Sequence, residues 1–256
     1  MSAEQKTVLR RITSHLMETI YPSRCLACPT ETVTPMGLCG DCWGQVHFFS
    51  GPICDLCGIS VHTIKDDSRG EKPGSLICHD CDRHPPNWDH GRSAIAYEGV
   101  GRQITLALKH SDRIDMAAPL ARWMSGAAAD IVTPQSVLVP VPLHWSRQLR
   151  RRYNQSAVLA FALGARLQTE VLPTVLKRNR ATPFLQNMSR KARQDAVSGS
   201  ISISQTRSAS IKNRHVLLID DVMTTGATLS ECSEVCRNAG AASVNVLTLA
   251  RVDRAV

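Results

Sequence analysis

The sequence predicts an α/β protein, a parallel sheet flanked by helices, preceded by a small cysteine-rich metal module. Three observations carry this. Apolar runs such as SVLVPVPL (136–143), HVLLID (215–220) and SVNVLTLA (243–250) alternate with helical patterns through the later part of the chain, as parallel strands joined by crossover helices do. Eight of the ten cysteines fall before residue 82, as four CxxC pairs. A length of 256 residues leaves room for one substantial core and a smaller module.

The first element is residues 1–21. Val8, Leu9, Ile12, Leu16, Met17 and Ile20 recur at helical spacing, which predicts an amphipathic helix packed on the body of the protein. A membrane-surface helix is the alternative, disfavoured because the polar face mixes Glu with Lys and Arg. No uninterrupted apolar segment resembles a signal peptide or reaches the ~18 residues of a membrane span. A cytoplasmic protein without membrane insertion is therefore expected.

Residues 22–90 form the second element. Cys25/Cys28, Cys39/Cys42, Cys54/Cys57 and Cys78/Cys81 each place two thiols on one tight turn, and two such turns complete the four-sulfur shell of structural zinc. Two zinc ions are expected. Sequential pairing leaves ten residues between the first two pairs and twenty between the last two, the latter within the usual ribbon range; crossed pairing of first with third and second with fourth is also compatible with the sequence. A redox dithiol or an iron–sulfur cluster would also use CxxC, but four pairs in one block exceed what a redox site needs. The intervening KDDSRGEKPGS (65–75) is too polar to build a core without metal. Nearby histidines are surplus to eight thiolates, and Cys232 and Cys236 read as small core residues of a later helix.

Composition changes after HPPNWDHG (84–91), opening a domain over 91–256. SAIAY (93–97) is expected as a strand, 104–131 as helical, SVLVPVPL as a buried strand and QSAVLAFALGARLQ (155–168) as a helix. HVLLID then forms a strand, LSECSEVCRNAG (229–240) a helix ending at a glycine, and SVNVLTLA a strand.

The chemistry concentrates in VLLIDDVMTTGATL (216–229), where a buried strand runs into Asp220 and Asp221 and then into Thr224, Thr225, Gly226, Ala227 and Thr228 before a helix. Ligands of open α/β sheets gather beyond the carboxyl ends of strands. Backbone N–H groups, hydroxyls and a helix start suit a phosphate. Two adjacent carboxylates suit vicinal ribose hydroxyls and a hydrated cation. An acid-ended strand with a threonine-capped helix explains single residues of this run but not their succession.

The motif resembles the phosphoribosyl-pyrophosphate motif of type I phosphoribosyltransferases. With the cysteine module, Tyr97-Glu98-Gly99, Ala107-Leu108-Lys109, Val139–His144 and the basic Arg147–Gln155, the chain from about Pro22 to Arg251 resembles the ComF family of competence-type, GntX-like proteins. The resemblance implies a type I phosphoribosyltransferase-like sheet behind a double zinc ribbon. It also implies Asp220 and Asp221 as the candidate catalytic pair on the ribose hydroxyls, Thr224–Thr228 on the 5′-phosphate, and Mg²⁺ bound with phosphoribosyl pyrophosphate. Where the family usually has Gly before the aromatic-Asn-Gln, this chain has Arg152; Thr182 is followed by Pro183, Phe184 and Leu185, and Arg193 by Gln194 and Asp195.

Two basic segments supply the other half of the expected site. Arg147, Arg150, Arg151 and Arg152 follow the SVLVPVPL strand, where Arg147 and Arg151 would face a pyrophosphate. KRNRATPFLQNMSRKAR (177–193) has little hydrophobic period and reads as a mobile lid, with solvated surface charge as the alternative. A net charge of +8 suits anionic partners, and the family resemblance implies a link to DNA uptake or utilisation. A non-catalytic single-stranded DNA-binding adaptor or ligand-sensing regulator on the same fold is the second reading, although aromatic residues for stacking on bases make up only 4% of the chain.

Overall fold

The computed structural model describes residues 23–32, 36–61, 76–110, 113–143, 153–181 and 189–252. The expected helix over 1–21 and the expected pyrophosphate arginines Arg147 and Arg151 lie outside them, as does the middle of the 177–193 segment. The chain packs as two compact units, Met1–Val46 and His47–Val256.

In the smaller unit, Cys25 and Cys28 lie on a turn closed by Cys25 N–H donating to the Thr30 carbonyl at 2.8 Å. Cys39 then caps helix α1, Gly40–Gly44, which carries Cys42. The larger unit begins with the same device. Cys54 and Cys57 sit on a turn, and Cys78 caps helix α2, His79–Arg83, which carries Cys81. The two four-cysteine groups are therefore built alike but belong to different units.

The rest of the larger unit is a four-stranded parallel sheet. In chain order its elements are β1 (Gly91–Ala96), α3 (Gly99–His110), a 3₁₀ turn (Ile114–Met116), α4 (Ala117–Ala127), β2 (Ser136–Pro140) and α5 (Gln155–Leu167). There follow β3 (Leu176–Arg178), α6 (Arg190–Val197), β4 (Ile201–Ile203), β5 (His215–Met223), α7 (Ala227–Asn238) and β6 (Ser243–Arg251). The sheet order is β1-β6-β5-β2, while β3 and β4 pair antiparallel beside it. Strand alternation divides the core. Val137, Val139, Val216, Leu218, Val244 and Val246 face α7 with Leu229, Cys232 and Cys236, so both late cysteines are core residues. Leu138 faces the other way and meets α5, where a methyl group on Gly164 would lie 3.6 Å from its Cδ1.

Each expected strand and helix of the described region is present, with three differences. The helical stretch 104–131 comprises the end of α3, which stops at His110, the 3₁₀ turn Ile114–Met116 and α4, which stops at Ala127. The ends of 177–193 are regular, β3 and α6, the latter started by Ser189 Oγ accepting from Ala192 N–H at 3.2 Å. The antiparallel β3–β4 pair, whose strands are joined through α6, has too few residues for a period-two signal. Strand β5 also runs beyond Asp220 to Met223, because β6 extends alongside it and pairs Val222 with Ala250 and Met223 with Arg251.

Candidate functional site

The acid pair sits on a central strand whose neighbours are β6 and β2. Side chains alternate along a strand, so Asp220 and Asp221 leave opposite faces and meet different partners. Asp220 Oδ1 accepts from Ser156 Oγ at 2.8 Å and from the Asp221 N–H at 2.9 Å. Asp221 is buried and forms an ion pair, Oδ2 to Lys109 Nζ, at 3.0 Å. Burial pushes the Asp220 carboxyl up to about 7, and the Asp221 charge adds to that; Ser156 and Lys109 pull the other way. One acid thus lies in an ion pair with a lysine, while its neighbour is pushed upward by burial.

Lys109 is placed by the Tyr153-Asn154-Gln155 element. Tyr153 OH donates to the Leu108 carbonyl at 2.6 Å and Gln155 Nε2 to the Lys109 carbonyl at 3.4 Å. Asn154 Nδ2 donates to the Val141 carbonyl at 3.0 Å, while its Oδ1 accepts from Ser156 N–H and starts α5. One short polar run therefore ties the end of α3 to the end of β2 and sets Ser156 against Asp220. The Ala107-Leu108-Lys109 element was visible in the sequence; that Lys109 would reach the acid pair was not, because more than a hundred residues separate them.

Past β5 the chain turns through Thr224, Thr225 and Gly226 into α7. A shallow pocket at this turn is lined by Asp220, Val222 and the run from Met223 to Leu229. Gly226 has φ +78°, the left-handed region, and an added Cβ would come within 2.7 Å of Trp88 Cη2. Ala227 N–H approaches Thr225 Oγ1 at 3.4 Å. Arg193 of α6 donates through Nη1 to Thr224 Oγ1 at 3.0 Å, bringing a guanidinium to the same turn. The structure thus brings together Asp220, Asp221 and Thr224–Thr228, and adds Lys109, Ser156, Arg193 and Trp88. For Arg193 the only signal was a basic segment near the motif; Trp88 sits in the run that marked a domain boundary.

The four-cysteine groups answer the pairing question. Cys25, Cys28, Cys39 and Cys42 form one cluster, and Cys54, Cys57, Cys78 and Cys81 the other, each with all sulfurs within 4.8 Å of one another; pairing is sequential. Cys28 and Cys39 Sγ are 3.7 Å apart, as are Cys57 and Cys78 Sγ. A tetrahedral shell of thiolates about 2.3 Å from zinc gives sulfur separations near 3.8 Å, so the residues fit the ion. Backbone N–H groups point at the sulfurs, Cys39 N–H at Cys25 Sγ and Cys78 N–H at Cys54 Sγ, both at 3.3 Å. Hydrogen bonds to Thr30 bring Cys28 down to about 6, towards the thiolate that a metal binds.

Comparison with known proteins agrees with this geometry. Residues 16–82 match the double zinc ribbon domain and residues 144–255 the phosphoribosyl transferase domain. The chain is 28% identical over 242 residues to Competence protein F of Haemophilus influenzae, covering 92% of this chain and 100% of that protein. It is 27% identical over 229 residues to the DNA utilization protein YhgH of Escherichia coli, covering 86% and 99%. A solved hypoxanthine phosphoribosyltransferase from Staphylococcus aureus aligns with a TM-score of 0.35 at 19% identity, over 54% of this chain and 64% of that one. Among the described residues, no helix is long and apolar enough to cross a membrane. Both domain types occur in order, a double zinc ribbon followed by a phosphoribosyl transferase domain, and the chain is similar to Competence protein F and to YhgH over nearly the full length of those proteins.

Proposed function

We propose that the site binds phosphoribosyl pyrophosphate with Mg²⁺ and that the chain serves DNA uptake or utilisation. The observation that carries the reading is the succession on β5 and its turn: two carboxylates on a central strand, then a threonine-glycine turn with left-handed Gly226 opening α7. Asp220 and Asp221 accept hydrogen bonds from the ribose hydroxyls. The amides and hydroxyls of 224–228 hold the 5′-phosphate. Arg147 and Arg151, with Arg193 at the turn, supply positive charge for the pyrophosphate. Bound Mg²⁺ would supply charge neutralisation at the pyrophosphate. Lys109 orients Asp221 through their ion pair before ligand arrives.

In a transfer reaction a nucleophile attacks the anomeric carbon and pyrophosphate leaves, taking the bonding electron pair, through an oxocarbenium-like transition state. Preorganised positive charge stabilises the leaving group. The names of the relatives, Competence protein F and DNA utilization protein YhgH, support a role in DNA handling, and the net charge of +8 favours a polyanion.

Calorimetry with phosphoribosyl pyrophosphate and Mg²⁺ tests the reading, with Asp220→Asn/Asp221→Asn as the comparison. Binding by wild type and none by the double variant is expected. Equal affinity in the two would remove the acid pair from the site. A screen of nitrogenous acceptors for pyrophosphate release then decides turnover. DNA binding that falls steeply with salt yet survives the double variant would favour the adaptor reading.

A further inference from the structure

The second cysteine cluster is joined to the phosphate turn by a short chain of contacts. Leu56 lies inside the Cys54–Cys57 turn, and its carbonyl accepts from Trp88 Nε1 at 2.5 Å. The Trp88 ring is buried, and its Cη2 edge lies where any side chain on Gly226 would go. The cysteine turn itself is fastened to β1. Ser93 Oγ donates to the Cys57 carbonyl at 3.4 Å and Gly91 N–H to the Asp55 carbonyl at 2.9 Å. Gly58, at φ +72°, lies so close that a Cβ would be 2.6 Å from Ser93 N. A second connection approaches the same turn from its other end. Arg190 of α6 donates to both oxygens of Asp80, a residue between Cys78 and Cys81, at 2.5 Å, and Arg193, one helical turn on, holds Thr224.

We propose that Trp88 is a positioning residue for the 224–228 turn, and that metal in the Cys54/Cys57/Cys78/Cys81 cluster, by fixing the Leu56 carbonyl, sets the affinity of that turn for a phosphorylated ligand. The inference rests on the reading above for the ligand's identity but not for the coupling. The geometry is restrictive: a buried indole N–H keeps its place only if its acceptor does, and a turn packed on a ring edge without a side chain of its own has nothing else at that point to stop it moving. Loss of metal removes the ion shared by the buried sulfurs of Cys54 and Cys57, leaving the bonds to β1 and the local apolar packing to hold residues 54–57, so the Leu56 carbonyl is held less firmly. The bond from Trp88 to its acceptor then weakens, and with it the backing of the turn.

The test uses the full chain loaded with zinc. Hydrogen exchange is followed at residues 224–229 and at 54–61 in wild type and in Trp88→Phe, which keeps an aromatic ring and removes only the N–H donor and the benzo edge. We expect exchange at 224–229 to rise about tenfold in the variant, with zinc content and exchange at 54–61 unchanged. The affinity for phosphoribosyl pyrophosphate with Mg²⁺ falls in step, by about tenfold. In wild type, partial zinc removal by a chelator speeds exchange at 224–229, and re-addition of zinc reverses it. Unchanged exchange at 224–229 in Trp88→Phe overturns the proposal, whatever chelation does to the rest of the fold. Exchange that rises in the variant while wild type shows no ligand binding supports the coupling and overturns the functional reading instead.

Discussion

The two four-cysteine clusters share one plan and differ in what surrounds them. In the smaller unit Cys28 and Cys39 stay partly exposed. In the larger unit Cys54 and Cys57 are fully buried, and Leu56, Ile59, Val61 and Ile77 pack around them. Arg92, itself buried, donates to the Asp55 carbonyl at 3.0 Å and pairs with Asp130 on the far side. Asp130 is held below the usual carboxylate range by that guanidinium against the pull of burial. The difference teaches that a repeated metal motif need not mean a repeated role. One copy lies in a small unit, while the other is packed into the unit that carries the phosphoribosyltransferase-type sheet.

The sharpest way to break this comparison is to remove each cluster in turn. Cys54→Ser/Cys57→Ser should cost the larger unit most of its stability, since a structural zinc site contributes on the order of 10 kcal/mol to folding; thermal melting followed by far-ultraviolet circular dichroism would show the sheet transition lost or moved far down. Cys25→Ser/Cys28→Ser should lower zinc content to one ion per chain and leave the main transition within a few degrees. Equal collapse in both variants would erase the distinction.

A smaller effect comes from the contact between the second cluster and the ligand turn. Gly226→Ala places a methyl against Trp88 and forces a left-handed φ, at a cost of about 1–3 kcal/mol, read as a lower Tm with loss of phosphoribosyl pyrophosphate binding but full zinc content. Asp80→Asn weakens the tie from α2 to Arg190 and to Arg251, which lies 3.9 Å from Asp80. Because these groups are partly exposed, a loss of about 0.5–1 kcal/mol is expected in urea unfolding. The corresponding acid of the first cluster, Asp41 of α1, serves as the control and should change stability by less.

The smallest and most distinctive effect belongs to Asp220, away from both clusters. The folded chain holds a proton on Asp220 up to about pH 7, whereas an unfolded aspartate releases it near pH 4. Between those values the folded state binds more protons, so this group lowers stability as pH rises and its full cost is present above pH 7. Without magnesium, Asp220→Asn should therefore raise Tm at pH 8, by about 2–6 °C for about 1–2 kcal/mol in a domain of this size, and by little at pH 4. A gain that is the same at both pH values would mean the carboxyl is not strained by burial. The expectation should hold whether or not the first cluster is loaded.

Much of this molecule was legible in its sequence because the signals are local. A CxxC brings its two sulfurs together by spacing alone. The apolar runs at 136–143, 215–220 and 243–250 had to be buried strands, since no amphipathic surface strand reads that way, and a strand running into two acids and a threonine-glycine turn marks a ligand end by its own succession. What the sequence could not settle depended on residues distant in the chain. Whether the cysteine pairs join sequentially or crosswise is decided by how the turns fold over one another, and the structure joins them sequentially. That Lys109 meets Asp221, that Ser156 meets Asp220 and that Trp88 backs Gly226 follows from the sheet order β1-β6-β5-β2. That order brings the ends of α3 and α5 and the loop before β1 to one edge of β5, and no periodicity along a single segment contains it.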